Sequence, residues 1–378
     1  MGALRTAQVT IVGGGIIGCS VAYHLTAAGQ RDVALLERGT IAGGVTGVCP
    51  GGIRQQFEGE PDCRLAQRSV RFYERINEIL EPDTPFVFER SGYLFLAETG
   101  ATLNRYRRNV AMQNRLGIPS RIMSAGDIHT LLPGLTMAGI AGGSYCAEDG
   151  FIEDCHGVTH QLAAHARRRG ARFSREAVLR IVRAGSRWLV ATDVGQLETE
   201  QLVLAAGADS VALAAQAGVS LPIAPERRRL AYTMPSEPGV LPPLVIAIER
   251  GVAARQLANG VLYLGWLAET PESDDLTFIE RTMEAGATLL AGLGDLPVRR
   301  VMGGIYDNTP DRRPLLGPVA GVAGLFLAAG FSGHGFMIAP AVGEALAAAL
   351  TGCATDLPLG DFTLHRFADA ASREGLHI

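Results

Sequence analysis

The apolar and polar positions of the chain open on a short run, Val9-Thr10-Ile11-Val12, followed by glycines and then by Ile17, Val21, Leu25 and Ala28 at helical spacing. This predicts a buried strand, a turn and a helix, with Gly29 at the helix stop. Asp32-Val33-Ala34-Leu35-Leu36-Glu37 predicts a second apolar strand that ends in an acid. A charged amphipathic helix is expected from Asp62 to Glu81, with Leu65, Val70, Phe72, Ile76 and Leu80 among its apolar positions. Strand-like pieces follow at Phe86 to Phe88 and Gly92 to Ala97, then a helix over Leu103 to Leu116. Ser124 and Asp127 mark a further helix start, as a cap and an acidic first turn.

The second half alternates in the same way. His156 to Arg169 reads as a helix, and Ala171 to Val182, Trp188 to Thr192 and Gln201 to Leu204 read as strands. The last of these runs through Ala205 and Ala206 into Gly207. Strands are expected at Arg229 to Met234, Leu244 to Ile248 and Gly260 to Trp266, and a helix at Asp275 to Leu293. Leu325 to Ala329 is a strand, Gly330 to Phe336 a turn, and Ala339 to Leu350 a helix. The class is α/β, and the length suits two domains or one domain with an inserted lobe.

The first turn carries chemistry. Gly13, Gly15 and Gly18 form G-x-G-x-x-G between a strand and a helix. Gly13 permits the turn, Gly15 lets a pyrophosphate approach the backbone, and Gly18 lets helix and strand pack closely. The helix N-terminus at Ile16 and Ile17 then faces the phosphates. Glu37 stands where a carboxylate meets an adenosine ribose. A second such motif is absent, so one dinucleotide is indicated. From Arg38 to Arg54 the chain is too glycine-rich for a helix, and Arg38, Gly44, Val45, Thr46, Gly51, Gly52 and Ile53 are candidates for a second loop wrapping the cofactor.

Composition narrows the field. A net charge of -4 and a pI near 6.1 give no large field that would point to nucleic acid. The six cysteines show no C-x-x-C pair, which argues against a metal site and against a disulfide framework, and suits a reducing cytoplasm. The first strand starts too early to leave room for a signal peptide. Pro314 to Gly343 lacks Asp, Glu, Lys and Arg, yet its glycines and prolines make it a poor transmembrane segment.

Together the fingerprint, Gly51-Gly52-Ile53-Arg54, Glu148-Asp149-Gly150, Ala205-Ala206-Gly207-Ala208, Thr309-Pro310-Asp311 and Gly330-Phe331-Ser332-Gly333-His334-Gly335-Phe336 occur in an order that resembles the FAD-dependent amine and amino-acid oxidoreductases. That superfamily includes D-amino-acid, glycine and sarcosine oxidases and the flavin subunits of proline and dimethylglycine dehydrogenases. The resemblance implies a discontinuous Rossmann-type FAD-binding domain, at 1–85, 141–221 and 301–378, and an α+β substrate lobe on a largely antiparallel sheet, at 86–140 and 222–300. It places Val178 on the adenine side, Ala206 and Gly207 at the cofactor, and Gly330, Gly333, His334, Gly335, Phe336 and Met337 along the isoalloxazine.

The resemblance also implies a chemistry: hydride passes from the carbon bearing the amine of a small amino acid or N-alkyl amino acid to flavin N5, leaving an imine. Arg54 is the candidate carboxylate anchor and His334 a candidate proton acceptor. Tyr306 replaces the carboxylate arginine of glycine oxidase, and Tyr263 stands where sarcosine oxidases carry an oxygen-activating lysine. The tethering cysteine and histidine of relatives correspond to Gly304 and Val48, so FAD is expected to bind non-covalently. The acceptor is oxygen, a partner protein or a quinone. A hydroxy-acid dehydrogenase and a flavin subunit of a larger electron-transferring complex are the alternatives.

Overall fold

The computed structural model describes residues 5–270 and 273–367. Strand β1, Arg5–Val12, runs into helix α1, Ile16–Ala27, and strand β2, Val33–Glu37, follows. β1 is covered on both sides: Val9 and Ile11 lie in one apolar cluster and Val12 in another. Its near-continuous apolar run reflects that double burial.

Five parallel strands form the centre of the first eight-stranded sheet. In spatial order they are Leu325–Ala329, Gln196–Leu204, β1, β2 and Arg172–Arg175, with Leu315–Pro318 antiparallel at one edge. The stretch expected as one strand from 171 to 182 is two. Arg172–Arg175 pairs with β2, whereas Val178–Ala184 pairs antiparallel with Arg187–Thr192. Glu176 sits between them, buried, and accepts both ends of the Arg5 guanidinium at 2.5 and 2.7 Å.

The second eight-stranded sheet is antiparallel except where Leu244–Ala247 runs parallel to Tyr93–Ala97. Its order is Val298–Asn308, Ala224–Thr233, Leu262–Trp266, Val252–Gln256, Leu244–Ala247, Tyr93–Ala97, Gly142–Cys146 and Arg121–Met123. The expected boundaries at 140/141 and 300/301 are therefore displaced. Gly142–Cys146 belongs to this sheet, and Val298–Asn308 runs through the second boundary without a break. A two-stranded ribbon, Gly52–Ile53 against Gly150–Phe151, makes a third, minimal sheet.

The helix expected from 62 to 81 breaks at Arg75 into Glu60–Glu74 and Ile76–Leu80. Asn77 of the second piece exchanges two hydrogen bonds with the backbone of Phe86, at 2.8 and 2.9 Å, which holds residues 86–88 as a loop rather than a strand. Ser124 and Asp127 form a capping box. The final helix, Gly335–Thr351, starts four residues earlier than expected. All six cysteines are free. Among the described residues no helix is long and apolar enough to cross a membrane, and no group of three or more metal-ligating side chains occurs.

The final helix contains Pro340, which has no N–H to give to the carbonyl four residues back. That carbonyl, on Phe336, is taken by the Tyr73 hydroxyl at 2.6 Å, and the two rings stack with centroids 5.4 Å apart. Tyr73→Phe should leave a buried carbonyl bare and lower stability by about 1–3 kcal/mol. In a Pro340→Ala background the helix recovers its own N–H, so the same change should cost less than about 1 kcal/mol; chemical denaturation of the four chains measures the difference.

Candidate active site

The turn after β1 is shaped by close approaches. Gly13 has φ +115°, and a Cβ on it would lie 2.2 Å from the Ala205 carbonyl oxygen, at the end of the neighbouring strand. A Cβ on Gly18 would lie 2.0 Å from the Gly13 oxygen. Both positions exclude any side chain, so α1 begins directly over the turn. Gly15 caps α1 without a side-chain hydrogen bond, and the Ile16 N–H donates to Thr46 Oγ1 at 3.1 Å. Glu37 accepts the Gly14 N–H at 2.6 Å and the Gly39 N–H at 2.7 Å, one on each oxygen.

Added side chains on Gly44 and Gly207 would meet nothing within 4 Å, and Gly207 holds φ +56°. Open glycine faces beside the positive end of a helix suit an anion that comes close to the backbone. Ala206 and Val178 are half-buried at this end of the sheet. Arg38 points outward and pairs with Asp209 at 2.8 Å, both well exposed.

Gly51, Gly52 and Ile53 have a different reason to be where they are. Side chains on the two glycines would strike the Ile152 carbonyl oxygen at 1.9 Å and the Tyr93 hydroxyl at 2.0 Å. Ile53 is fully buried in the core. Here the glycines make room for the protein's own chain.

The opposite wall is the turn at 330–335. Asp307, at the end of the long strand Val298–Asn308, accepts the Gly330 N–H at 2.6 Å and the Phe331 N–H at 3.1 Å. Burial pushes its carboxyl up to about 6, against the pull of these backbone donors. Sequence reasoning passed over Asp307; the available signal was an acid at the end of a strand just before Thr309-Pro310. Gly330 and Gly333 have positive φ, and a Cβ on Gly333 would lie 2.3 Å from the Tyr306 ring. Tyr306 is thereby brought against the turn that carries His334.

Phe336 and Met337 are buried in the main core. Asp311 accepts two hydrogen bonds from Arg366, at 2.7 and 3.0 Å, and Arg366 also donates to the carbonyls of Arg313, Pro314 and Phe362. Arg313 binds Asp62 at 2.9 Å and Arg312 lies 3.5 Å from Glu226.

Arg54 is 4 % exposed and its Nη2 lies 3.0 Å from Nε2 of His334. A guanidinium only donates, so Nε2 accepts and the His334 ring proton sits on Nδ1. Phe57 and Phe95 face the guanidinium, with ring centroids 4.6 and 5.2 Å away. Arg54 also lines a cavity of about 40 Å³ with Gln56, Phe57, Phe95, Tyr106 and Ser144. A buried cation beside a neutral imidazole in aromatic surroundings suits a small carboxylate that also carries a protonatable group.

Tyr263 lies in the lobe sheet, 3 % exposed, with Tyr232 and Arg255 as its cross-strand neighbours. Burial raises its phenol far above the ordinary range, and its hydroxyl has no hydrogen-bond partner of good geometry. The sequence comparison with a lysine site gave no hint of Arg255, a fully buried guanidinium that forms ion pairs with Glu89 and Glu153.

Residues 8–349 match the family model described as DAO, FAD dependent oxidoreductase. The chain belongs to this family. FAD-dependent oxidoreductase domain-containing protein 1 of Bos taurus is 32 % identical over 95 % of the chain and 84 % of its own length. Mitochondrial dimethylglycine dehydrogenase of Mus musculus is 29 % identical over 90 % of the chain, which spans only 42 % of that longer protein. The crystal structure of L-proline dehydrogenase from P. horikoshii superposes with a TM-score of 0.90 at 29 % identity, covering 98 % of this chain and all of the other. The FAD-dependent oxidoreductase fold thus accounts for both large sheets.

The carboxyl of Asp307 titrates near 6 in the folded chain and near 3.8 when free. The folded state holds its proton longer, so this group lowers stability as pH rises from about 4 to 6, by about 3 kcal/mol. Asp307→Asn removes that slope. The melting temperature of the unsubstituted chain, measured relative to the variant, should fall across this window and level off above it.

Proposed function

We propose that this oxidoreductase oxidises the C–N bond of a small amino acid or N-alkyl amino acid, taking hydride from the carbon beside nitrogen and leaving an imine that water hydrolyses. One observation carries the reading: the buried Arg54 guanidinium donates to a neutral His334 at the foot of the final helix. The names of two relatives, dimethylglycine dehydrogenase and L-proline dehydrogenase, support it, since both substrates are amino acids alkylated at nitrogen.

The glycine cradle fits FAD. Gly13, Gly15, Gly44 and Gly207 with the first turn of α1 would receive the pyrophosphate, Glu37 and Val178 the adenosine, and the 330–335 turn the ring system. FAD, when bound, supplies the two-electron acceptor. Binding is non-covalent in this proposal: a Cβ on Gly304 would lie 3.1 Å from Val45 and 3.3 Å from Val48, so the two tether positions adjoin and neither offers a nucleophile.

The protein orients and holds protons. Arg54 takes the substrate carboxylate through two parallel N–H donors, which fixes the amine-bearing carbon and discriminates against neutral amines. Its withdrawal from His334 frees Nε2 to accept a proton from the substrate ammonium. Tyr263 brings no charge, and the neighbouring Arg255 is offset by Glu89 and Glu153, so superoxide would gain little stabilisation. The chain is therefore a dehydrogenase whose electrons pass to a partner protein or quinone.

Anaerobic bleaching of the bound flavin by glycine, sarcosine, L-proline and D-amino acids, followed by air, tests this. Sarcosine or L-proline should bleach it, and the bleached state should persist in air. In Arg54→Ala the bleaching efficiency should fall about 100-fold with flavin content retained. Bleaching by hydroxy acids alone would sink the proposal.

A further inference from the structure

The turn Glu148-Asp149-Gly150 has no part in the chemistry so far, yet it faces Arg54. The register of the small ribbon pairs Ile53 with Gly150, so the residues just beyond, Arg54 and Asp149, leave the ribbon side by side. Asp149 is fully buried. Its Oδ1 accepts the Gln55 N–H at 2.8 Å and its Oδ2 accepts Gln56 Nε2 at 2.9 Å. Gln56 in turn accepts the Ser144 hydroxyl at 2.7 Å and donates to the Tyr93 carbonyl at 3.1 Å. Gln56 and Ser144 are walls of the cavity that Arg54 also lines.

We infer that Asp149 is a positioning residue: by accepting one hydrogen bond from each of the two residues after Arg54, it fixes the guanidinium and the cavity wall beside it. The inference rests on the reading of Arg54 as the carboxylate anchor. Three features give it content beyond ordinary packing. The strand that carries Arg54 has only two ladder residues, so the backbone beyond it needs another acceptor to hold its course. The relay Asp149–Gln56–Ser144 continues from that backbone into the cavity wall. Both Asp149 hydrogen bonds also demand an acceptor, and the ionised carboxylate offers one at each oxygen with no proton to compete.

The ionised form is not secured at neutral pH. Burial pushes the Asp149 carboxyl up to about 7, against the hydrogen bonds from Gln56 and Gln55 and the charge of Arg54. The titratable groups facing it are Arg54 beyond the ribbon, Tyr93, Tyr145 and Cys146 on the lobe sheet, and Cys63 on the helix Glu60–Glu74. Tyr93, Tyr145 and the two thiols are held neutral by burial, which raises each of them. As pH falls through about 7, a proton on Oδ2 opposes Gln56 Nε2, donor against donor, and the carboxamide must turn away from its partners. Carboxylate affinity should then drop, because Arg54 loses its fixed geometry while keeping its charge.

The test is acetate binding to the FAD-loaded protein, read as a shift of the flavin spectrum from pH 5.5 to 9, with acetamide as the uncharged control. For the unsubstituted protein the dissociation constant should rise several-fold below about pH 7. Asp149→Asn keeps one acceptor and offers an N–H to a turned Gln56, so it should fold, bind acetate within about threefold of the best affinity, and lose the pH step. Asp149→Ala should weaken acetate about tenfold at pH 8. Ser144→Ala, which loosens only Gln56, should weaken it less, and with Asp149→Asn it carries the test if Asp149→Ala does not accumulate. Unchanged affinity and an unchanged pH step in both Asp149→Asn and Ser144→Ala, with acetate binding still lost in Arg54→Ala, would overturn the inference alone. Unchanged acetate binding in Arg54→Ala, or no acetate binding to the unsubstituted protein, would overturn the anchor reading and the inference together.

Discussion

Everything in the crevice depends on how closely α1 lies against the final helix. The Ser20 hydroxyl donates to the Ala339 carbonyl at 2.7 Å, and a Cβ on Gly343 would come within 2.3 Å of the Ser20 oxygen. The helices pack at this separation because Gly343 has no side chain. One consequence is that two helix N-termini, at Gly15 and at His334, share the C-terminal side of the parallel strands. Each is uncapped by a side chain, and each brings the positive end of a helix dipole. The crevice is thus built for negative charge at both ends before any ligand arrives.

The second constraint is the cost of placing charged groups inside the protein. Arg54, Asp149, Asp307, Arg229 and Arg255 are all buried, and isolated charges there would be prohibitive. Each is offset differently. Arg229 is locked to the equally buried Glu269 at 2.5 Å, a structural pair remote in role from the crevice. Asp307 is met by backbone N–H groups, which makes it the keystone of a turn. Arg54 is met by aromatic faces, the His334 imidazole and the charges of Asp149 and Glu58.

Much of this could be read in the sequence because the relevant constraints are local. Gly13 and Gly18 announce themselves, since their reason is a close approach within one strand, one turn and one helix. The parallel strands around β1 were legible because double burial removes polar residues from them. The packing reason for Gly51 and Gly52 could not be read, because the chain that crowds them, at Ile152 and Tyr93, lies 41 to 101 residues away in sequence. Asp149 was visible only as part of a turn motif and Asp307 not at all, because the Gln55, Gln56, Gly330 and Phe331 donors that meet them lie 23 to 94 residues away in sequence. Tyr263 drew attention by its position in a family pattern, while the cation beside it, Arg255, sits on the adjacent strand and is visible only in register. The break at Arg75 was likewise set by Asn77 latching onto the Phe86 backbone, a contact that periodicity does not encode.

The grip of Arg366 on Asp311 bears on how the chain can be handled. Arg366 stands in the last described turn. Its guanidinium closes a bracket over the 309–314 bend, which leads directly from Asp307 and so from the crevice wall. Cutting the chain before this residue would strip a paired carboxylate and four carbonyls of their donor in one step. An engineer seeking a minimal domain should therefore keep Arg366.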